Sequence, residues 1–208
     1  MIHWGSVKKV IFGLNGLDFS IKPIWETMPS SECMHGHPVD GVLGYSFFEN
    51  YVVEIDYEAR KITLANPDTY TYVGNGRVLA LDLSKQWPIV RSRIAPIGSA
   101  PTEGQFIIDT GYSGAVALNR HFVERLRPSP ERMVSVPGWC GLGGELATHV
   151  GRLESFQLGE FTFRRPFALF PEAKAGALTW QGFDGVVGSE ILQRFRVRHP
   201  PQSGWLGE

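Results

Sequence analysis

The residues best suited to chemistry are Asp109, Thr110 and Gly111, which stand between the apolar runs 106–108 and 115–118. This pattern predicts a carboxylate in a tight turn between two buried strands. A carboxylate is rarely buried unless it is paired or hydrogen-bonded, so Asp109 is either a satisfied turn residue or a group held for acid–base chemistry. Gly111 permits a backbone conformation with positive φ, and the Thr110 hydroxyl can fix the turn.

Asp-Thr-Gly after an apolar strand, followed much later by Asp-Gly-Val-Val-Gly at residues 184–188, resembles the retropepsin and pepsin superfamily of aspartic proteases, particularly its bacterial members. The resemblance implies that Asp109 is catalytic, that Thr110 supports the turn, and that residues 184–188 pack beneath it. Ser113 could hydrogen-bond the carboxylate or serve only as a turn residue. Tyr112 departs from the small residue that pepsins place after the glycine.

The resemblance also implies a fold and a reaction. The expected fold is all-β, with pepsin/retropepsin-like acid protease β-barrel lobes and a few short helices. The expected reaction is hydrolysis of a peptide or protein substrate, with no metal and no other cofactor. It needs two carboxylates, because an ionised one deprotonates water while a protonated one donates to the carbonyl oxygen. Asp109 would be one member of that pair, which titrates as a unit.

Composition is compatible with this reading and disfavours other classes. The chain has 208 residues, which suffices for one large β domain or two smaller lobes. Its 24 Gly and 14 Pro favour short strands joined by turns. A net charge of -1 gives no basic surface for nucleic acid. No apolar run reaches the roughly 18–20 residues of a membrane span, and nothing in the sequence assigns a compartment.

The chain contains an internal repeat. Asp-Gly-Val-Leu-Gly at residues 40–44 matches residues 184–188 at an offset of 144, which is 184 minus 40. The same offset aligns Phe47 with Ile191. It indicates that residues 1–70 form the part of a first lobe that follows the flap. Residues 77–208 then form a nearly complete second lobe that carries Asp-Thr-Gly.

The repeat predicts where a second acid would come from. Asp109 precedes Asp184 by 75 residues (184 minus 109), so the matching acid of the first lobe would lie about 35 residues before Met1. We therefore expect the second carboxylate from upstream sequence. Alternatively, two copies of the chain could pair their Asp109 residues across a two-fold axis, as homodimeric retropepsins do. In the remaining alternative, the chain is an inactive peptide-binding or vestigial module.

A second element of the expected site is a hairpin that begins with a strand over residues 134–144 and returns over residues 148–158. Its tip is rich in glycine and carries one tryptophan: Gly138, Trp139, Gly141 and Gly143. The tip resembles the flap that closes over a bound peptide, since glycines permit hinge motion and the indole can cover apolar side chains. An ordinary surface hairpin is the alternative.

Other polar residues are predicted to be structural. The superfamily uses acids at the positions of Asp40 and Asp184 structurally. Residues 33–37 hold a thiol and two imidazoles, but no second cluster supplies further ligands, so we predict a loop there and no metal. Cys33 and Cys140 could form a disulfide or remain free thiols.

Local patterns predict the remaining elements. Asn-Gly at residues 15–16 predicts a β-hairpin, and Pro200 and Pro201 predict a disrupted final hairpin. The other predicted elements are a short helix at 45–51, a strand pair at 51–57 and 61–64, strands at 78–83 and 89–97, and a helix at 120–126 capped by Asn119.

Overall fold

A computed structural model describes residues 5–6, 10–14, 17–21, 24–25, 42–129, 132–141, 144–172, 177–199 and 205–207. In chain order, its strands are β1 (Gly5–Ser6), β2 (Val10–Leu14), β3 (Leu17–Ile21), β4 (Ile24–Trp25), β5 (Val52–Asp56), β6 (Lys61–Ala65), β7 (Arg77–Leu79), β8 (Ile89–Pro96), β9 (Thr102–Ile108), β10 (Val116–Leu118), β11 (Met133–Gly141), β12 (Gly144–Leu158), β13 (Phe161–Arg164), β14 (Phe167–Pro171), β15 (Gly185–Val187), β16 (Arg196–His199) and β17 (Trp205–Gly207). The helices are α1 (Tyr45–Phe48), α2 (Arg120–Leu126) and α3 (Ser189–Leu192), with a 3-10 turn at Ala177–Thr179.

Six strands form a closed barrel in the order β12-β14-β10-β15-β9-β8, because β8 pairs back with β12. Alternate residues of each strand point to opposite sides of the sheet. On β9, Phe106 and Ile108 join the main apolar core, whereas Ile107 packs in a separate cluster with Phe183. Strands account for 47% of the structure and helices for 12%, so the predicted all-β class with short helices is confirmed.

In the barrel, strand β15 lies between β9 and β10 and pairs with both. β15 runs parallel to β9, with Val187 beside Ile108, and antiparallel to β10, with Val187 opposite Val116. A side chain at Gly185 would lie 3.0 Å from the Phe106 ring and 3.2 Å from the Leu118 Cα, so only glycine lets the three strands approach this closely. The strands before and after Asp109 are therefore held together by a third strand from much later in the chain.

The sequence offset of 144 also relates elements of the structure. Adding 144 to the bounds of α1, residues 45 and 48, gives the bounds of α3, residues 189 and 192. The predicted hairpin of β2 and β3 forms, with Leu14 opposite Leu17, and its counterpart pairs Leu158 with Phe161 in the same register. The repeat seen in the sequence is thus a repeat of strand pairing.

A second sheet joins the two repeats in the order β6-β5-β16-β17-β7. The predicted strand pair β5–β6 is present, and β5 also pairs with β16 from the second repeat. The prediction of a disrupted final hairpin is wrong for its strands, because β16 pairs with β17. Val197 lies opposite Gly207, whereas the offset applied to the Val53–Leu64 pair would place it opposite Glu208. The hairpin therefore accommodates its altered sequence by a register shift of one residue.

Helix α2 has the predicted bounds, but the predicted role of Asn119 is wrong. Asn119 stands at the N-cap position, yet its side chain makes no capping hydrogen bond. Its amide nitrogen donates instead to the carbonyl oxygens of Trp180 at 2.9 Å and Phe183 at 2.8 Å. The Asn119 side chain is fully buried, and buried carbonyls need donors more than a solvent-accessible helix end does. Among the described residues, no helix is long and apolar enough to cross a membrane.

Candidate active site

Asp109 is fixed at the end of strand β9 by hydrogen bonds of the backbone. Its N–H donates to the Val187 carbonyl at 2.9 Å, which continues the pairing of β9 with β15 by one residue. The Gly111 N–H donates to Asp109 Oδ1 at 2.9 Å, and the Tyr112 N–H donates to the Asp109 carbonyl at 3.2 Å. The predicted turn is therefore present, and it holds the carboxylate in one orientation.

The environment of this carboxylate favours its protonated form. Asp109 is half-buried, and burial raises its pKa, while the N–H groups of Gly111 and Tyr112 act in the opposite direction. No carboxylate in the described part of the chain hydrogen-bonds to Asp109. The site thus holds one acid whose pKa is raised by its surroundings, and general acid–base chemistry uses such groups.

Two backbone hydrogen bonds from the start of helix α3 hold the loop that follows Asp109. The Gly188 N–H donates to the Ala115 carbonyl at 2.9 Å, and the Ser189 N–H donates to the Tyr112 carbonyl at 2.7 Å. A side chain at Gly188 would collide with the carbonyl oxygens of Tyr112 and Gly114. This glycine is therefore required by the close approach of two backbones, and the segment that it ends packs against the Asp-Thr-Gly loop.

Tyr112 fills the inside of the loop. A side chain at Gly114 or Gly188 would overlap the Tyr112 ring, so the two glycines make room for the phenol. Burial, followed by the nearby Glu190 and Asp109 carboxylates, raises the pKa of the Tyr112 hydroxyl far above its usual range. The phenol therefore stays neutral, and its ring supports the loop from within.

The two hydroxyl residues of the loop differ in exposure. Thr110 is half-buried and Ser113 is exposed. Neither side chain has a hydrogen-bond partner within the described part of the chain, so the suggested bond from Ser113 to the Asp109 carboxylate is not formed. Hydrogen bonds of the backbone, and not these hydroxyls, hold the turn.

Asp184 lies at the opposite end of β15, and its carboxylate connects strand β9 with helix α2. Its Oδ2 accepts the Gln105 N–H at 2.8 Å, while its Oδ1 lies 3.1 Å from His121 Nε2 and 3.3 Å from Arg125 Nη2. Its side chain is only 13% exposed. All three contacts lie on β9 and α2, and none reaches the Asp109 loop, so Asp184 has a structural role.

Strands β11 and β12 form the hairpin predicted as a flap. Its register shifts between Val136 and Trp139, at a β-bulge where Gly138 has a φ of 69°. Glycine adopts such a φ more readily than residues with a side chain do. Trp139 is half-buried and lies opposite Leu146, and Gly141 pairs with Gly144. Gly143 lies outside the described residues.

The structure adds an aromatic pair that the sequence did not reveal. Trp87 and Trp180 meet edge to face with ring centroids 5.7 Å apart, and both contact Phe183. They remain 41% and 43% exposed. The Ile108 N–H donates to the Pro88 carbonyl at 2.9 Å, so the pair lies beside the strand end that leads to the aspartate. Positions 87 and 180 carry no shared sequence pattern, and only the fold brings them together.

Several predicted features fall where the structure gives no description. Asp40, Cys33 and the cluster at residues 33–37 lie outside the described residues, and the Cys140 side chain is not described. A disulfide between Cys33 and Cys140 therefore stays a prediction. Within the described ranges, no group of three or more His, Cys, Asp or Glu residues is placed to hold a metal ion.

Comparison with known proteins agrees with this geometry. Residues 95–191, which include β9, the Asp-Thr-Gly turn, the hairpin of β11 and β12, and β15, match the family model described as aspartyl protease. Residues 95–191 are therefore similar to aspartyl proteases. This match and the closed barrel support the predicted retropepsin-like superfamily, and the match supports a protease-type function.

Among solved structures, the chain is similar to a retropepsin-like aspartic protease from Rickettsia conorii. The two are 16% identical with a TM-score of 0.46, and the similarity covers 66% of this chain and 96% of that one. No curated protein matches the chain.

Proposed function

We propose that the chain acts in an aspartic endopeptidase that hydrolyses peptide bonds with water activated by paired aspartates, one of which is Asp109. The observation that supports this most is the Asp109 carboxylate itself, oriented by the Gly111 N–H at the end of the barrel with its pKa raised by burial. In the pair, the ionised acid takes a proton from water while the protonated acid donates to the carbonyl oxygen of the substrate.

The second aspartate would be carried by a matching first lobe or by a second copy of the chain. Residues 1–70 would then be the part of the first lobe that follows its flap, and residues 77–208 the second lobe. An alternative is favoured by one observation, since no described carboxylate pairs with Asp109. In that case the chain binds peptides in its cleft without hydrolysing them.

The flap and the aromatic pair would both contact the substrate. Gly138, Gly141 and Gly143 would permit the hairpin to close, and Trp139 would cover an apolar side chain of the peptide and exclude water. Trp87 and Trp180 offer exposed aromatic area next to the strand that carries the acid. Both features favour peptides with apolar side chains near the cleaved bond.

Cleavage of a denatured protein tests the proposed function. We expect new peptide termini, identified by mass spectrometry, and inhibition by a peptide that carries a hydroxyethylene group in place of the scissile amide, because such a group mimics the tetrahedral transition state. Chelators should leave the rate unchanged. In a preparation that contains both aspartates, binding of the hydroxyethylene peptide without any cleavage would favour the peptide-binding alternative. A preparation of this kind that shows neither binding nor cleavage would contradict both functions.

Replacing Trp139 by Ala tests the flap. If the indole covers a substrate side chain, its loss should raise KM by about tenfold, since removal of a buried aromatic contact costs on the order of 1 kcal/mol or more. Steady-state kinetics on one peptide would measure it. Val134→Ala is the matched control, because Val134 is 69% exposed on the same hairpin. Equal KM values for the two variants would argue against a flap.

A further inference from the structure

Strands β5 and β16 occupy matching positions in the two repeats and pair with each other. In this antiparallel pair, Glu54 lies opposite Arg198 and Asp56 lies opposite Arg196. Because 198 minus 54 is 144, Glu54 and Arg198 are equivalent residues of the two repeats. Two equivalent residues can face each other only on a two-fold axis, so this pair marks a pseudo-two-fold axis between the repeats.

The contacts across this axis join opposite charges. Arg198 Nε donates to Glu54 Oε2 at 2.6 Å, and these side chains are only 10% and 26% exposed. Beside them, Arg196 Nη2 lies 2.8 Å from Asp56 Oδ2. The acids all lie on β5 and the guanidinium groups all lie on β16, so the two matching strands carry complementary charge.

Pairing of two identical strands around the same axis would lose these contacts. Two β16 strands would place Arg198 against Arg198, with Arg196 opposite Pro200. Two β5 strands would place Glu54 against Glu54, with Asp56 opposite Val52. Like charges directly opposite each other on paired strands are destabilising, and the low exposure of this position increases the cost.

We propose that the opposite charges of Glu54 and Arg198 select pairing between the two unlike repeats and disfavour pairing between two copies of the same strand. The β5 strand then occupies the edge of β16 that a second copy of the chain would need. One consequence rests on the proposed function. The second aspartate that pairs with Asp109 would be carried by an unlike lobe and not by an identical chain.

A charge-reversal cycle on the full chain tests the proposal without any activity assay, so its result stands apart from that of the proteolysis test. Glu54→Arg creates an Arg–Arg pair on the axis, Arg198→Glu creates a Glu–Glu pair, and the double variant restores opposite charges. We expect each single variant to lower the Tm by about 4–8 °C. The double variant should lie within about 2 °C of the wild type.

The matched controls are Glu58→Arg and Arg194→Glu, which make the same charge changes at exposed positions near these strands. Neither should shift the Tm noticeably. A double variant that is as unstable as the two single effects added together would overturn the proposal, because the charges would then be uncoupled. If a single variant does not fold, a double variant that folds supports the proposal, and a double variant that also fails to fold overturns it.

Discussion

Replacing Asp109 by Asn is expected to lower kcat/KM for peptide hydrolysis by about a hundred- to ten-thousand-fold, the usual contribution of a positioned acid or base. The amide keeps the shape of the side chain and an oxygen for the Gly111 N–H, so the loop should remain intact. The measurement is steady-state cleavage by the preparation that hydrolyses the wild-type substrate. Asp68→Asn is the control, since Asp68 is exposed on a distant turn. Equal losses of kcat/KM in the two variants would show that Asp109 is not catalytic.

The same Asp109→Asn variant should be more stable than the wild type at neutral pH. Because burial raises the pKa of Asp109 above its ordinary value of 3.8, the unfolded chain releases this proton more readily than the folded chain does. The free energy of unfolding of the wild type therefore falls as the pH rises from 3.8 through the raised pKa of the folded state. An Asn side chain has no proton to release in this range, so the variant avoids that loss. Thermal unfolding should show a higher Tm for the variant at neutral pH and no difference well below pH 3.8. A Tm that is lower at neutral pH would mean that the carboxylate stabilises the fold.

Asp184→Ala is expected to destabilise the chain by about 3 kcal/mol, because it removes a shielded carboxylate and leaves the donors that converge on it without their acceptor. Those donors are the Gln105 N–H, His121 and Arg125. A change of this size corresponds to a fall in Tm of about 6–12 °C for a chain of this length. Chemical denaturation and thermal unfolding would both measure it.

Asp184→Asn separates structural from catalytic roles for the two aspartates. It keeps an oxygen for the Gln105 N–H but loses the charge that attracts Arg125, so its stability should lie between those of the wild type and Asp184→Ala. Its rate of hydrolysis per folded molecule should remain near that of the wild type. The same change of Asp to Asn should thus raise stability at Asp109 and lower it at Asp184. Identical signs at neutral pH would contradict the roles assigned here.

Much of the fold followed from sequence because local pattern and repeat agreed. The Asp-Thr-Gly turn, helix α2 and the β2–β3 hairpin each depend on residues close in the chain, where propensity and turn chemistry act directly. Because the two repeats are related by an offset of 144 residues, a prediction made for one repeat also applied to the other. Short-range signals therefore located the carboxylate and the strands that flank it.

What the sequence missed depends on distant contacts. Asn119 looked like a helix cap, but its amide serves two carbonyls more than 60 residues away. Trp87 and Trp180 are separated by 93 positions, yet their rings meet each other and both contact Phe183. The prolines before β17 suggested a broken hairpin, yet pairing with both β16 and β7 holds that strand in the sheet. In each case tertiary contacts override a local preference.

The position of β15 has a consequence for the order in which the chain folds. The strands on either side of Asp109 are held side by side by β15, whose Val187 lies 79 residues beyond its partner Ile108. Closing a loop of that length precedes any gain from the contacts it permits, so the barrel should close late and slowly. Until then, Asp109 lacks both its backbone partner on β15 and its buried surroundings. A partly folded chain would therefore carry an ordinary solvated aspartate, and the acid would acquire its raised pKa only in the last step of folding.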